Sequence, residues 1–198
     1  HSISYRSWDN VNNEEPAKTL QVIIDNTAPL TTITPVNGKQ YSSSDGKLYT
    51  TPDTQYVLTA QDNASGAKNI FYSLDNASFA VYASSLALNE GIHSIRYFAT
   101  DNLGNPENEH VFTVNVDATP PVTSEPQPVG LSYTSGNSLY IVPQTSFTLS
   151  ATDPPSGGLP GSSGVKYSEY NIDGSSWTAY GGPFKIAQSN ANQSVIPS

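Results

Sequence analysis

The chain repeats itself over a domain-sized interval, and that repeat limits what it can fold into. Residues 1–31, "HSISYRSWDNVNNEEPAKTLQVIIDNTAPLT", align without a gap to residues 93–123, "HSIRYFATDNLGNPENEHVFTVNVDATPPVT", and thirteen of the 31 positions are identical. "LYTTPDTQYVLTAQD" (Leu48–Asp62) matches "LYIVPQTSFTLSATD" (Leu139–Asp153), and "SGAKNIFYSLDNASFAVY" (Ser65–Tyr82) matches "SGVKYSEYNIDGSSWTAY" (Ser163–Tyr180). Seven extra residues within "PPSGGLPGSSG" separate the last two segments in the later copy. A period of about 92–99 residues is too long for a solenoid unit and suits a whole domain. The phase places one complete copy at 28–117. Residues 1–25 match the last two strands of a preceding copy. Residues 118–198 read as a following copy that reaches "QSVIPS" where its last strands are due.

Within each copy the apolar residues alternate. "TQYVLTA" sets Tyr56, Leu58 and Ala60 on one face, and the later copy sets Phe147, Leu149 and Ala151 there. "NIFYSLD" aligns Ile70, Tyr72 and Leu74, "HSIRYFA" aligns Ile95, Tyr97 and Ala99, and "VFTVNVD" aligns Phe112, Val114 and Val116. A period of two makes half-buried strands, and each apolar face needs another opposite it. Helical periodicity over ten residues is missing. Short strands split by Gly, Pro, Asn and Asp turns predict an all-β chain of sandwiches of about 90 residues. The linkers "DNTAPLT" (Asp25–Thr31) and "DATPPVT" (Asp117–Thr123) carry prolines that fix φ and restrict the residue before them. They predict short, stiff joints and a rod of sandwiches.

Composition narrows the function classes. The net charge is −9, which argues against nucleic acid as a partner. Cys is absent, so neither disulfides nor thiolate chemistry are available. Met is absent too, which points to a mature or cut-out piece of a longer chain. The densest apolar stretch is "VII", Val22 to Ile24, and no apolar run approaches the length needed to span a membrane. No Gly-x-Ser-x-Gly, Walker loop or paired zinc ligands occur, and a non-enzymatic role is expected.

"GIHSIRYFATDNLGNPE" followed by "FTVNVDATPPVT" resembles the bacterial immunoglobulin-like tandem repeats of surface adhesins and of secreted polysaccharide-degrading enzymes. "YNIDGSSWTAYGGPFKI" (Tyr170–Ile186) is similar to the middle of the same repeat. The resemblance covers nearly the whole chain. It implies tandem immunoglobulin-like β-sandwiches, one complete and two partial, on the bacterial cell surface or outside the cell. It implies a structural or adhesive spacer. The alternative is an accessory spacer or weak glycan-binding region of a polysaccharide-degrading enzyme. The first copy departs from the repeat at Asn12, where Gly is usual. Asn tolerates the left-handed conformation, so the turn is expected to survive.

An immunoglobulin-like sandwich brings its second-to-third and sixth-to-seventh strand loops to the end where the chain arrives. Those loops are "DNASG" (Asp62–Gly66) and "DNLGN" (Asp101–Asn105), and the linker is "DNTAP". Asp25, Asp62 and Asp101 are therefore expected to converge, with Glu107 just past the turn. Two readings stand. Oxygen ligands from separate loops suit Ca²⁺, and the resemblance implies that joints of this kind can be stiffened so. Alternatively, each Asp builds its own turn.

The three His make no metal site. His93 shares parity with Ile95 and Tyr97 and is expected to be a packed, hydrogen-bonded imidazole; His110 stands alone. Phe79 recurs as Trp177, Tyr72 as Tyr170 and Tyr82 as Tyr180. Recurrence favours a structural role for these aromatics over sugar stacking. Trp8, whose counterpart is Thr100, falls on the outward face as a candidate contact residue. Asn63, Asn76 and Asn192 carry the N-glycosylation pattern without consequence for a bacterial chain. The expected partners are neighbouring repeats of the same chain or head-to-tail copies of itself, together with a cell-surface or glycan ligand.

Overall fold

The computed structural model describes residues 1–155 and 162–187. The end of the later copy at "QSVIPS", the sequon at Asn192 and most of the "PPSGGLPGSSG" insertion lie outside the described residues. The chain divides into two compact units, His1–Val116 and Asp117–Ser198. The described residues are all-β, with no helix.

The first unit begins with a hairpin of β1 (Ser2–Tyr5) and β2 (Lys18–Gln21). A two-sheet sandwich follows: β3 (Leu30–Val36), β4 (Gln40–Ser42), β5 (Leu48–Thr50), β6 (Gln55–Gln61), β7 (Ala67–Leu74), β8 (Ala80–Val81), β9 (Leu86–Ala87), β10 (Gly91–Asp101) and β11 (His110–Val116). One sheet has the order β3-β6-β9; the other has the order β4-β5-β11-β10-β7-β8. The pairs are antiparallel except β5 with β11, which run parallel. Two such sheets with crossing connections make an immunoglobulin-like sandwich. Counting the short strands β4, β5, β8 and β9, nine strands lie between Leu30 and Val116.

The core lies between the sheets. Tyr56 and Leu58 of β6 meet Ile95 and Tyr97 of β10 and Val114 and Val116 of β11, with Leu88 beside them. Ile33, Ile70, Tyr72, Leu74, Tyr82, Leu86 and Phe112 close the edges. Tyr72 was expected to be buried and is half-buried, because it sits at the margin, edge-on to Tyr82. Two tyrosine hydroxyls at the core are hydrogen-bonded. Tyr56 Oη shares a hydrogen bond with Thr50 Oγ1 at 2.7 Å, and Tyr82 Oη accepts the Leu58 N–H at 3.1 Å. Gly38, with φ +57°, marks the tightest approach, where a Cβ would meet Thr54 Oγ1 at 2.1 Å.

The second unit contains β12 (Val122–Thr123), β13 (Gln127–Val129), β14 (Ser132–Ser135), β15 (Ser138–Ile141), β16 (Ser146–Thr148), β17 (Ala151–Thr152), β18 (Glu169–Tyr170), β19 (Thr178–Ala179) and β20 (Phe184–Lys185). Its strands group as β12-β17, β13-β16-β20, β14-β15 and β18-β19. Phe147 is buried and stacks with Phe184, which stacks in turn on Tyr170.

Ile95 and Val114 are wholly buried. Ile95→Ala removes side-chain volume from the centre of the core and is expected to cost about 2–5 kcal/mol in urea unfolding. Val111→Ala, on the exposed face of β11, is expected to stay within about 0.5 kcal/mol.

Candidate functional site

The three aspartates do converge. Asp25, Asp62 and Asp101 each present a carboxylate oxygen, and these atoms lie within 4.8 Å of one another. Asp62 follows β6, Asp101 ends β10, and Asp25 sits in the linker before β3. Each carboxylate also organises its own loop. Asp101 Oδ1 accepts the N–H groups of Leu103 and Asn105, and its Oδ2 accepts Asn105 Nδ2 at 2.7 Å. Asp62 Oδ2 accepts the N–H groups of Ala64 and Gly66. Asp25 Oδ1 takes the N–H and hydroxyl of Thr27. Its Oδ2 reaches across to the Ser65 N–H at 2.9 Å.

That last bond is longer in range than turn chemistry. Two more join the same loops: Thr27 Oγ1 to Asn63 Oδ1 at 3.0 Å, and Asn105 Nδ2 to the Asp25 carbonyl at 3.4 Å. The linker is thereby tied to both loops of the sandwich. Asn102 Nδ2 donates to the carbonyls of Ser65 and Gly66, tying those loops to each other.

The site is electronegative. Ser65, whose side chain and N–H both face it, and then Thr27 hold the Asp25 carboxyl far below the usual aspartate range. For Asp101, burial opposes the charge, but hydrogen bonds from the Asn105 side chain and N–H outweigh it and leave the carboxyl lowered. Among the described residues, no Lys, Arg or His forms an ion pair with any of the three. Asp62 Oδ1 is buried and has no hydrogen-bond partner. An orphaned buried carboxylate oxygen is costly unless something meets it. Oxygens bound to one Ca²⁺ at 2.3–2.6 Å are at most about 5 Å apart, so the donor type and spacing fit this ion.

Glu107 was expected only to lie near this cluster, and the structure gives it a larger role. Its side chain is 6% exposed. Oε1 accepts the Thr31 N–H at 2.7 Å and faces His110 Nε2 at 2.8 Å, while Oε2 accepts the Ala99 N–H at 3.1 Å. It therefore clamps β3 of one sheet to β10 of the other. His110 is not alone, since it also stacks on Tyr97 with centroids 5.2 Å apart. The signal in the sequence was the identity of Glu107 with Glu15 across the repeat.

His93 behaves as expected. It is half-buried, with Nδ1 2.8 Å from Asp75 Oδ2 and Nε2 3.0 Å from the Asn89 carbonyl. Trp8 is exposed, with the Arg6 guanidinium 4.5 Å from its ring centroid, and Arg6 pairs with Glu14. Nothing brings Trp8 to the aspartates. Tyr72 and Tyr82 line the core, whereas Phe79 packs edge-on against Phe98 beneath Arg96, and Trp177 is exposed.

Comparison with models of known protein families and with curated proteins gives no match.

Two outcomes check this geometry. Glu107→Gln replaces one acceptor oxygen with an NH₂ group facing an N–H or the His110 ring, and is expected to cost about 1–3 kcal/mol in urea unfolding. Asp25, Asp101 and Glu107 have lowered folded-state pKa values. Their contribution to stability is complete above the unfolded values near 4 and is lost as pH falls through the folded ones. The melting temperature is expected to hold above about pH 5 and to fall on acidification, less steeply in Asp25→Asn.

Proposed function

We propose that this chain is a non-enzymatic structural or adhesive segment of an extracellular bacterial surface protein or fibre. It acts as a stiff spacer of serial immunoglobulin-like sandwiches, and Ca²⁺ held by Asp25, Asp62 and Asp101 tightens the joint. One observation carries the reading: the linker aspartate Asp25 bonds across to Ser65 in a loop of the sandwich while its carboxylate lies against Asp62 and Asp101. A linker that is only a tether has no use for such anchoring. A load-transmitting joint needs it, because each bond removes freedom that would let the chain bend there.

The same chemistry recurs in the second unit, which supports a device belonging to the repeat. Asp117 Oδ1 accepts the Thr119 N–H, and its Oδ2 accepts the Ser163 N–H at 2.7 Å, as Asp25 does with Thr27 and Ser65. Asp153 Oδ2 accepts the Gly164 N–H, as Asp62 does with Gly66. Asp153 Oδ1 is buried and unpartnered, like Asp62 Oδ1. The placement outside a bacterial cell rests on the resemblance of residues 91–123 to surface repeats. Among the described residues no helix is long and apolar enough to cross a membrane.

Two measurements test the reading. With spin labels on Val11→Cys and Ser44→Cys, both exposed, the distance distribution across the linker is expected to be narrow and to broaden in Asp25→Ala. A distribution as broad in the parent as in the variant overturns the stiff joint. Calorimetry of EDTA-stripped protein is expected to show heat on adding up to millimolar Ca²⁺, lost in Asp62→Asn. If no heat appears, the carboxylates are turn builders alone.

A further inference from the structure

A groove opens in the first unit where its two sheets end. β8 is the last strand of the six-stranded sheet and β9 the last of the three-stranded one. The groove lined by these strands and by β7 has a volume of about 530 Å³, the size of a small-molecule site. Tyr72, Leu74 and Leu86 line it and also pack, partly buried, against the core. Ser78, Ser84 and Ser85, all exposed, bring hydroxyls to it. The other lining side chains are Ala and Val, so no charged group is among them. Ser85 donates its hydroxyl to Gln55 Oε1 at 2.9 Å, which leaves its oxygen as an acceptor.

The second unit shows a filled version of the same place. The repeat equates Tyr72 with Tyr170 and, continued without a gap, Leu86 with Phe184. The strand pairing agrees. Leu86 lies opposite Tyr56, and Phe184 lies opposite Phe147, the counterpart of Tyr56. Phe184 stacks on Tyr170 with ring centroids 3.8 Å apart and planes 10° from parallel. A flat six-membered ring therefore fits against this tyrosine. In the first unit the branched Leu86 stands in its stead, and the groove is open. The rim changes as well. Ser84 and Ser85 correspond to Gly182 and Pro183, which carry no hydroxyl, while Ser78 recurs as Ser176. Two of the three hydroxyls thus belong to the copy with the open groove and are missing where a phenyl ring covers the tyrosine.

We propose that this groove binds the neutral pyranose ring of a sugar, which takes on Tyr72 the place that Phe184 takes on Tyr170. The face of an aromatic ring carries partial negative charge, and it attracts the polarised C–H groups on one face of a pyranose. The hydroxyls around the sugar ring meet Ser78, Ser84 and Ser85, with Ser85 as an acceptor. A wholly apolar ring strips water from those serines without replacing its hydrogen bonds. An anionic sugar finds no cation among the lining residues and meets a chain of net charge −9. The recurrence of Tyr72 as Tyr170 fits its place at the core margin. Leu86 and the serines, not the tyrosine, set the first copy apart. None of the lining residues belongs to the aspartate cluster, and sugar binding does not rest on the cation.

NMR titration of the isotope-labelled chain in EDTA tests this, with methyl glucoside, methyl galactoside and methyl mannoside as probes. At least one is expected to shift the methyl resonances of Leu74, Ala80 and Leu86 saturably, and glucuronate is expected to shift them less at equal concentration. Leu86→Phe puts the second unit's residue into the groove and is expected to abolish the shifts of Leu74 and Ala80. Ser84→Ala combined with Ser85→Ala, at exposed positions, is expected to keep the fold and to weaken binding about tenfold, the worth of two hydrogen bonds. That pair decides the matter if Leu86→Phe fails to fold. No saturable shift with any of the three pyranosides overturns the proposal. So does undiminished binding in either variant that retains the parent's spectrum, or tighter binding of glucuronate. So does benzyl alcohol shifting these resonances where the pyranosides do not, because the groove then takes an aromatic side chain.

Discussion

The sandwich depends on burying one face of a hairpin. β10 and β11 carry Ile95, Tyr97, Val114 and Val116 on the same side, and two strands alone cannot remove them from water. In the complete domain β5 and β7 flank the hairpin, and β6 lies across from it in the opposite sheet with Tyr56 and Leu58. Burial of such side chains is worth about 1.5–3 kcal/mol each, and the hairpin supplies several. Residues 1–21 show the same hairpin with its face uncovered. Identical local bonds and opposite exposure separate the local term from the tertiary one: the turn forms in both settings, while the core exists in only one.

The turns therefore carry a second duty. Asp9 and Asp101 satisfy their own loops in the same manner, so that part of the chemistry is local. What Asp101 adds is position. The length of β10 brings it to the end of the sandwich where β6 finishes at Gln61 and the linker passes. Convergence of Asp25, Asp62 and Asp101 concentrates negative charge with no ion-paired side chain among the described residues, and hydrogen bonds from Ser65 and Thr27 to Asp25 and from Asn105 to Asp101 favour the ionised carboxylates. Glu107 works nearby by a different route. It bridges Thr31 and Ala99, fastening the two sheets where a backbone ladder cannot run between them.

Much of the fold was legible from residues. The alternation in "TQYVLTA" and "HSIRYFA" placed Tyr56, Leu58, Ile95 and Tyr97 inside, because a period of two leaves a strand no other way to bury them. The offset between copies placed Asn12 where Gly104 stands, and both adopt positive φ, 68° and 91°. The aspartate cluster was legible as well, since sandwich connectivity sends the β6–β7 and β10–β11 loops to one end. The clamp of Glu107 was not legible. Its partners Thr31 and Ala99 are backbone N–H groups, which every residue carries and no pattern marks.

The sequence by itself determined the period, the strand faces and the turn chemistry, because alternation, proline and Asx-type hydrogen bonding act over a few residues. The tertiary structure alone decided which faces are covered, which carboxylate oxygen is left without a donor, and that Asp25 reaches Ser65 forty positions away. Those outcomes depend on how two sheets stack and where loops end. Such distances are set by the burial of many side chains together and are written in no single segment.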